Sequence, residues 1–292
     1  MNSKYRRAVF SAILAALLYS ISTPASKILL REIPSTMMAA FLYLGAGLGM
    51  AAFGLVRKLS KHEHTEQRLT KKDLPYTIGM IVLDIAAPIS LMVGLTMTTA
   101  ANASLLNNFE IVATAVIAML FFKEIIRKRL WIAIAFVTLA SLLLSFEDIG
   151  SLSFSMGSLF VLLAAIFWGL ENNCTRMLSH KDPLEIVVVK GIFSGLGSLF
   201  IALILGERVS NILYIALALL LGFVAYGLSI YYYLYAQRHL GAAKTSAFYA
   251  MAPFVGAALS ITLLKERPTL IFIAAIALMM FGAYAAYRDN KA

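Results

Sequence analysis

The sequence predicts an all-α polytopic membrane protein: ten transmembrane helices arranged as two inverted five-helix repeats, with both termini cytoplasmic. Three observations carry this expectation. The composition is far more apolar than that of a soluble domain, ten separate runs are long enough to cross a hydrocarbon core, and the two halves of the chain resemble each other. Hydrophobic residues make up 61% of the 292 and charged residues 14%, with a mean hydropathy of +0.83. Soluble domains average about 45–50% and about 25%.

The apolar runs lie near residues 8–28, 36–56, 74–97, 101–122, 130–147, 156–178, 184–205, 211–237, 241–264 and 269–287. A spanning helix needs about 17–25 residues. None of the runs alternates as a barrel strand would, and backbone polar groups in lipid must be satisfied within the segment, so each run is read as a helix. Segment one follows Lys4, Arg6 and Arg7 and contains Thr23-Pro24-Ala25, features that also suit a cleaved secretory signal. Pro24 beside the would-be cut argues against cleavage, and the internal repeat needs this segment, so it is expected to be retained. The single Cys174 excludes an intramolecular disulfide and any cysteine-based metal cluster.

Basic residues orient the chain. With ten spans and a cytoplasmic N-terminus, 19 lysines and arginines fall in cytoplasmic segments, concentrated in 57–72 and 123–129. Five, namely Lys27, Arg31, Arg208, Lys265 and Arg267, fall outside, and Lys190 lies within segment seven. This asymmetry sets the topology. The formal charge of +10 therefore reports orientation, and no basic patch with interleaved aromatics points to nucleic acid.

Sliding the chain by 142 residues lays 98–124 over 240–266, matching Ala100 with Ala242, Ala101 with Ala243, Ser104 with Ser246, Ala115 with Ala257, Lys123 with Lys265 and Glu124 with Glu266. A slide of 149 lays 14–29 over 163–178, with Tyr19 over Trp168 and Lys27 over Arg176. The charged loop from Arg57 to Asp73 absorbs the difference of seven. The repeats are placed at 1–149 and 150–292. An odd number of crossings inverts the second copy, the arrangement used for alternating access around a site at the repeat interface.

Ten helices, the five-plus-five repeat, the Trp168-Gly169 pair and the Glu-terminated segments four and nine resemble the EamA group of the drug/metabolite transporter superfamily, over essentially the whole chain. The resemblance implies a metabolite transporter, and it alone suggests efflux of amino acids or related compounds. The chain departs from the family pattern in segment four, where Ile111, preceded by Glu110, aligns with Pro253.

Candidate site residues follow from polar groups at membrane depth, which are expensive and by default functional. In segment six, IFWGLENNCTRML places Glu171, Asn172 and Asn173 side by side, with Glu171 and Thr175 at i, i+4. A carboxylate there costs about 2.5–3.5 kcal/mol on insertion scales. Its repeat mate is Ser22-Thr23-Pro24, where Pro24 removes a backbone hydrogen bond. Asn107, Glu110 and Thr114, at i, i+3, i+7, form one polar stripe on segment four, with Tyr249 opposite Asn107 in the other repeat. Asp84 lies near the middle of segment three, four residues before Pro88. Tyr19, Trp168 and Tyr249 are expected to wall a central cavity. The substrate-binding candidates are thus Tyr19, Ser22, Asp84, Asn107, Glu110, Trp168, Glu171, Asn172 and Tyr249.

Plainer readings stand beside these. Each acid can instead tether two helices through an amide or hydroxyl. Lys190 and Lys244 lie near the cytoplasmic ends of segments seven and nine and are expected to snorkel. Tyr231, Tyr232, Tyr233 and Tyr235 suit an interfacial belt, whereas Tyr226 lies deeper. Gly191, Gly195 and Gly197 suit close helix packing. His62, His64, His180 and His239 all fall in predicted loops, which argues against an intramembrane enzyme dependent on histidine or metal. A structural membrane protein has no reason to carry three acids at mid-depth. The expectation is a multi-pass carrier of the inner or plasma membrane for a small organic solute. Its partners are the lipid bilayer, a small-molecule substrate and candidate protons; no cofactor, metal or nucleotide is implied, and no P-loop is present.

Overall fold

The computed structural model describes residues 3–59, 67–123, 128–148, 153–178, 180–240, 245 and 248–289. Glu124, Ala242, Ala243, Lys244 and Ser246 of the repeat comparison, and His62 and His64, lie outside the described residues.

Segment one comprises α1 (Ser3–Ser20) and α2 (Ser22–Leu29), interrupted at Ile21. Segments two and three are α3 (Ser35–Leu59) and α4 (Leu74–Met97), the latter introduced by a 3₁₀ turn at Lys71–Asp73. Segment four is divided into α5 (Ala100–Leu106) and α6 (Phe109–Phe122), and segment five is α7 (Lys128–Ser145). A small antiparallel hairpin, β1 (Phe146–Asp148) with β2 (Ser153–Phe154), links the halves. It adds two short strands to a fold that is otherwise α.

The second half begins with α8 (Met156–Met177) and α9 (Pro183–Ile204). Segment eight contains α10 (Ile212–Leu221), a π-helical turn at Gly222–Leu228 and α11 (Ser229–Leu240). It is followed by α12 (Ala252–Leu264) and α13 (Leu270–Asp289). Seven helices are long and apolar enough to cross a membrane, and three shorter apolar helices lie at Leu130–Ser145, Ala252–Leu264 and Leu270–Tyr284. These correspond to the ten expected segments. Segment nine is short because its regular helix starts only after an interruption at residues 250–251.

Lipid-facing and protein-facing residues divide as a bundle in a membrane requires. Leu55, Leu120, Phe121, Phe200, Ile212 and Leu270 are all exposed, a surface that a water-soluble protein would bury. Between helices the contacts depend on small residues: α3 packs along α9, and a Cβ added to Gly191 would lie 2.4 Å from the backbone nitrogen of Gly47. Such proximity holds two helices together where lipid tails supply no hydrophobic drive. The other principal pairs are α4 with α8, α7 with α13, and α1 with α11.

The interruption in segment four falls within the expected polar stripe. Asn108 N donates to Leu105 O at 3.0 Å and Glu110 N to Asn107 O at 3.1 Å, so the chain turns through i to i−3 bonds there. A 3₁₀ turn advances about 120° per residue rather than about 100°. Residues three apart eclipse in such a turn, so Asn107 and Glu110 keep to one side of it, Asn107 toward α12 and Glu110 bonded to Asn172 of α8.

Candidate functional site

Where α3, α4, α8 and α9 meet, three charged side chains converge. Lys190 Nζ lies 3.0 Å from Asp84 Oδ2 and 3.0 Å from Glu171 Oε1. Asp84 is fully buried, Glu171 is 2% exposed, and the Lys190 side chain is 13% exposed. Asp84 Oδ1 accepts from Tyr43 Oη at 2.8 Å, and Tyr43 Oη in turn accepts from Trp168 Nε1 at 3.3 Å. Glu171 Oε1 also accepts from Thr175 Oγ1, as their i, i+4 spacing anticipates. Asp84 Oδ2 has no well-aligned hydrogen bond, so its compensation is the ammonium charge alone.

The inward placement of Lys190 corrects the snorkelling expectation. Ile186, Lys190, Ser194 and Gly197 follow one another at i, i+4, i+8 and i+11, a single helical face. That face packs on α4: Ser194 Oγ donates to Ile81 O at 3.2 Å, and a Cβ on Gly197 would come within 2.3 Å of Ile85. The lipid side of α9 is formed by Phe193, Leu196, Phe200 and Leu203 instead. Sequence reading judged Lys190 by its depth and missed this face. Tyr43 was also missed, although a tyrosine in an apolar helix needs a partner for its hydroxyl. Lys244 lies outside the described residues.

A second polar position adjoins the first. Glu110 Oε1 accepts from Asn172 Nδ2 at 2.6 Å, and the same amide reaches Thr114 Oγ1 at 3.2 Å. Asn173 Nδ2 binds the carbonyls of Gly169 and Thr114, tying α8 to α6. The adjacent amides of the ENN stretch thus both face segment four, while Glu171 faces segment seven.

The remaining candidates gather around Tyr226, in the π-helical turn. Its hydroxyl accepts from Ser22 Oγ at 3.2 Å, and its ring lies 5.8 Å from that of Tyr19 and 5.6 Å from that of Tyr43. Tyr249 packs on Tyr19 at 5.7 Å and on Tyr233 at 5.0 Å. Tyr233 therefore belongs to this cluster as well as lying near the expected interfacial belt. A small cavity beside Tyr19 is lined by Ser20, Thr23, Ser104, Asn107, Ala252, Pro253 and Gly256. Of the three expected cavity walls, Tyr19 lines this space; Trp168 lies buried against Tyr43, and Tyr249 stacks behind Tyr19.

Polar clasps join the helices at both ends of the bundle. At one end Lys181 Nζ binds Asp73 Oδ2 at 2.9 Å and Arg68 O at 3.1 Å, and Glu185 accepts from Leu69 N at 2.9 Å. At the other, Lys27 Nζ binds the carbonyls of Leu95 and Thr98, and Glu266 accepts from Ala100 N and Ala101 N at 2.8 and 2.9 Å. The second clasp uses both ends of helix dipoles, an ammonium at carbonyls and a carboxylate at free N–H groups.

Comparison with known proteins agrees with this architecture. The model of the EamA-like transporter family matches twice, at residues 6–146 and 155–288. An uncharacterized transporter of Methanothermobacter thermautotrophicus is 26% identical over 300 residues, covering 96% of this chain and 86% of its own. The uncharacterized transporter YyaM of Bacillus subtilis is 25% identical over 199 residues, 65% of each chain. A crystal structure of a protein, 17% identical, superposes with a TM-score of 0.66 over 96% of this chain and 95% of that one, a likeness of fold. The chain is a multi-pass membrane protein and belongs to the EamA-like transporter family of the drug/metabolite transporter superfamily.

Proposed function

We propose that the protein is a secondary carrier that exports a small organic metabolite, an amino acid or related compound, by alternating access between two inverted repeats at 1–149 and 150–292. The supporting observation is the Asp84–Lys190–Glu171 cluster, which joins helices of both halves by buried charge. Two carboxylates face one ammonium there, leaving one negative charge that a proton or a cationic group can neutralise. Glu171 is the proposed proton carrier, bound to Lys190 in one access state and protonated in the other. The asymmetry of basic residues supports a topology with both termini in the cytoplasm. Reporters fused near Arg68 and after Ala292 are expected to read cytoplasmic, and a readout from the opposite side at either position contradicts that topology.

The test is flux of labelled amino acids and amines in proteoliposomes with and without a pH gradient. Glu171→Gln leaves the neutral Asp84–Lys190 pair intact, so the variant is expected to insert normally, retain solute exchange and lose gradient-driven accumulation. Glu110→Gln is the companion variant, because Glu110 is the mid-depth acid that stands outside the Lys190 cluster. Full pH-dependent transport in both single variants and in the double variant removes both acids from coupling.

A further inference from the structure

The cavity beside Tyr19 has a consistent chemical character. Asn107 Oδ1 and Ser104 Oγ are buried without a hydrogen-bond partner, their residues being 6% and 2% exposed. The carbonyl of Ser20 belongs to the same space: a Cβ built on Gly256 would lie 3.1 Å from Ser104 Oγ and 3.2 Å from Ser20 O. Pro24, four residues after Ser20, has no N–H to donate to that carbonyl. Two oxygens thus lie over a glycine and Asn107 lines the same cavity, near the place where segments one, four and nine each interrupt their helices.

The surroundings favour positive charge. Tyr19, with Tyr249 and Tyr226 stacked around it, presents aromatic faces of the kind that attract ammonium groups. Glu110 lies one turn beyond Asn107, its N–H bonded to Asn107 O at 3.1 Å, which holds the two on one side of the 3₁₀ turn. Among the described residues no cation lies within ion-pairing distance of Glu110, whose hydrogen-bond partner is the neutral amide of Asn172. Lys190 is already engaged by Asp84 and Glu171, so it does not balance a substrate carboxylate.

We infer that the cavity formed by Tyr19, Ser20, Ser104, Asn107 and Gly256, with Glu110 beside it, is a subsite for a primary ammonium group, and that the solute is an organic amine rather than an anionic metabolite. This rests on the carrier reading and narrows its substrate class. Oxygen acceptors receive the three N–H donors, Glu110 balances the charge, and the tyrosine rings cover the carbon next to nitrogen. A carboxylate in the same place faces lone pairs and a like charge.

The test is calorimetric binding to the purified full chain in detergent and sodium-free buffer, using phenethylamine, phenylalanine and 3-phenylpropionate as cation, zwitterion and anion on one ring. Phenethylamine is expected to bind most tightly and 3-phenylpropionate not at all. Asn107→Leu and Glu110→Gln are each expected to weaken amine binding by about tenfold or more. Gly256→Ala, which adds one methyl against Ser104 Oγ and Ser20 O, keeps the question open to test should a polar variant fail to fold.

Equal or tighter binding of the anion, no binding of phenethylamine or methylammonium, or amine binding unchanged in all three variants overturns the inference. So does sodium ion binding with the same dependence on Asn107 while amines do not compete. Amine binding without flux in liposomes supports the subsite and defeats the carrier reading. Flux of a solute without amine binding defeats the subsite alone.

Discussion

Lys123 and Lys265, 142 positions apart, both close their helices in the left-handed conformation, each with φ of 54°. They terminate α6 and α12, the second halves of the two interrupted segments four and nine. The correspondence extends, to within one residue, to the interruptions, which fall at 107–108 and 250–251. Equivalent sequence thus yields equivalent irregular backbone, a stricter sign of repetition than matched alanines.

A lysine in this conformation carries strain that glycine does not, about 1–2 kcal/mol for an L-residue. Lys123→Gly is therefore expected to stabilise the protein by about 0.5–1 kcal/mol after glycine's extra chain entropy is allowed for. Lys265→Gly is expected to do the same. Thermal melting in detergent reads the gain, and a lower melting temperature in both variants shows that the lysine side chains contribute more than the strain removes.

The α3–α9 contact predicts the opposite sign. Gly191→Ala places a methyl 2.4 Å from Gly47 N, on backbone atoms that have no rotamer with which to yield. The two longest-packed helices must separate, and a loss of about 1–3 kcal/mol is expected, as for an overpacked core. An unchanged melt shows that α3 and α9 slide freely along each other.

Lys190→Met leaves Asp84 and Glu171 buried together without their cation. Removing one partner of a buried ion cluster typically costs about 3–5 kcal/mol, so the variant is expected to yield little monodisperse protein. Adding Asp84→Asn and Glu171→Gln removes the repulsion, and recovery of yield in the triple variant is the confirming result. Poor yield of the triple variant assigns Lys190 a packing role through its alkyl stem instead.

The sequence made the helices legible because lipid imposes a length and a hydropathy on each of them. It located Asp84, Glu110 and Glu171 because a carboxylate at mid-depth is conspicuous in an apolar run. It did not reveal their pairing. Lys190 lies near a predicted helix end, and only the alignment of Ile186, Ser194 and Gly197 against α4 turns it inward. The break between α5 and α6 was hidden for a related reason: helical periodicity assumes unbroken i to i−4 bonding, and the two asparagines there do not sustain it. The π-helical turn that places Tyr226 has no signature in apolar periodicity at all.

The single cysteine gives a direct reading of the clasp at Asp73 and Lys181. Cys174 packs, half-buried, with Leu69, Met80, Leu178 and Ile186. Leu69 is itself held by the Glu185 carboxylate, and Leu178 precedes Lys181 by three residues, so this apolar cluster adjoins the ion pair. Opening the bundle at this end must separate the 67–73 stretch from the 178–185 stretch and bring water to the cysteine. Lys181→Met removes the bonds to both Asp73 and Arg68 O, and it is expected to raise the rate of Cys174 labelling by a small maleimide severalfold. Glu266→Gln weakens the clasp at the other end, where the carboxylate holds the first N–H groups of α5, and in an alternating mechanism it is expected to slow the same labelling. With no other cysteine in the chain, the signal has no background. Opposite shifts in the two variants support exchange between two access states, whereas equal acceleration in both shows general loosening of the bundle and argues against alternation.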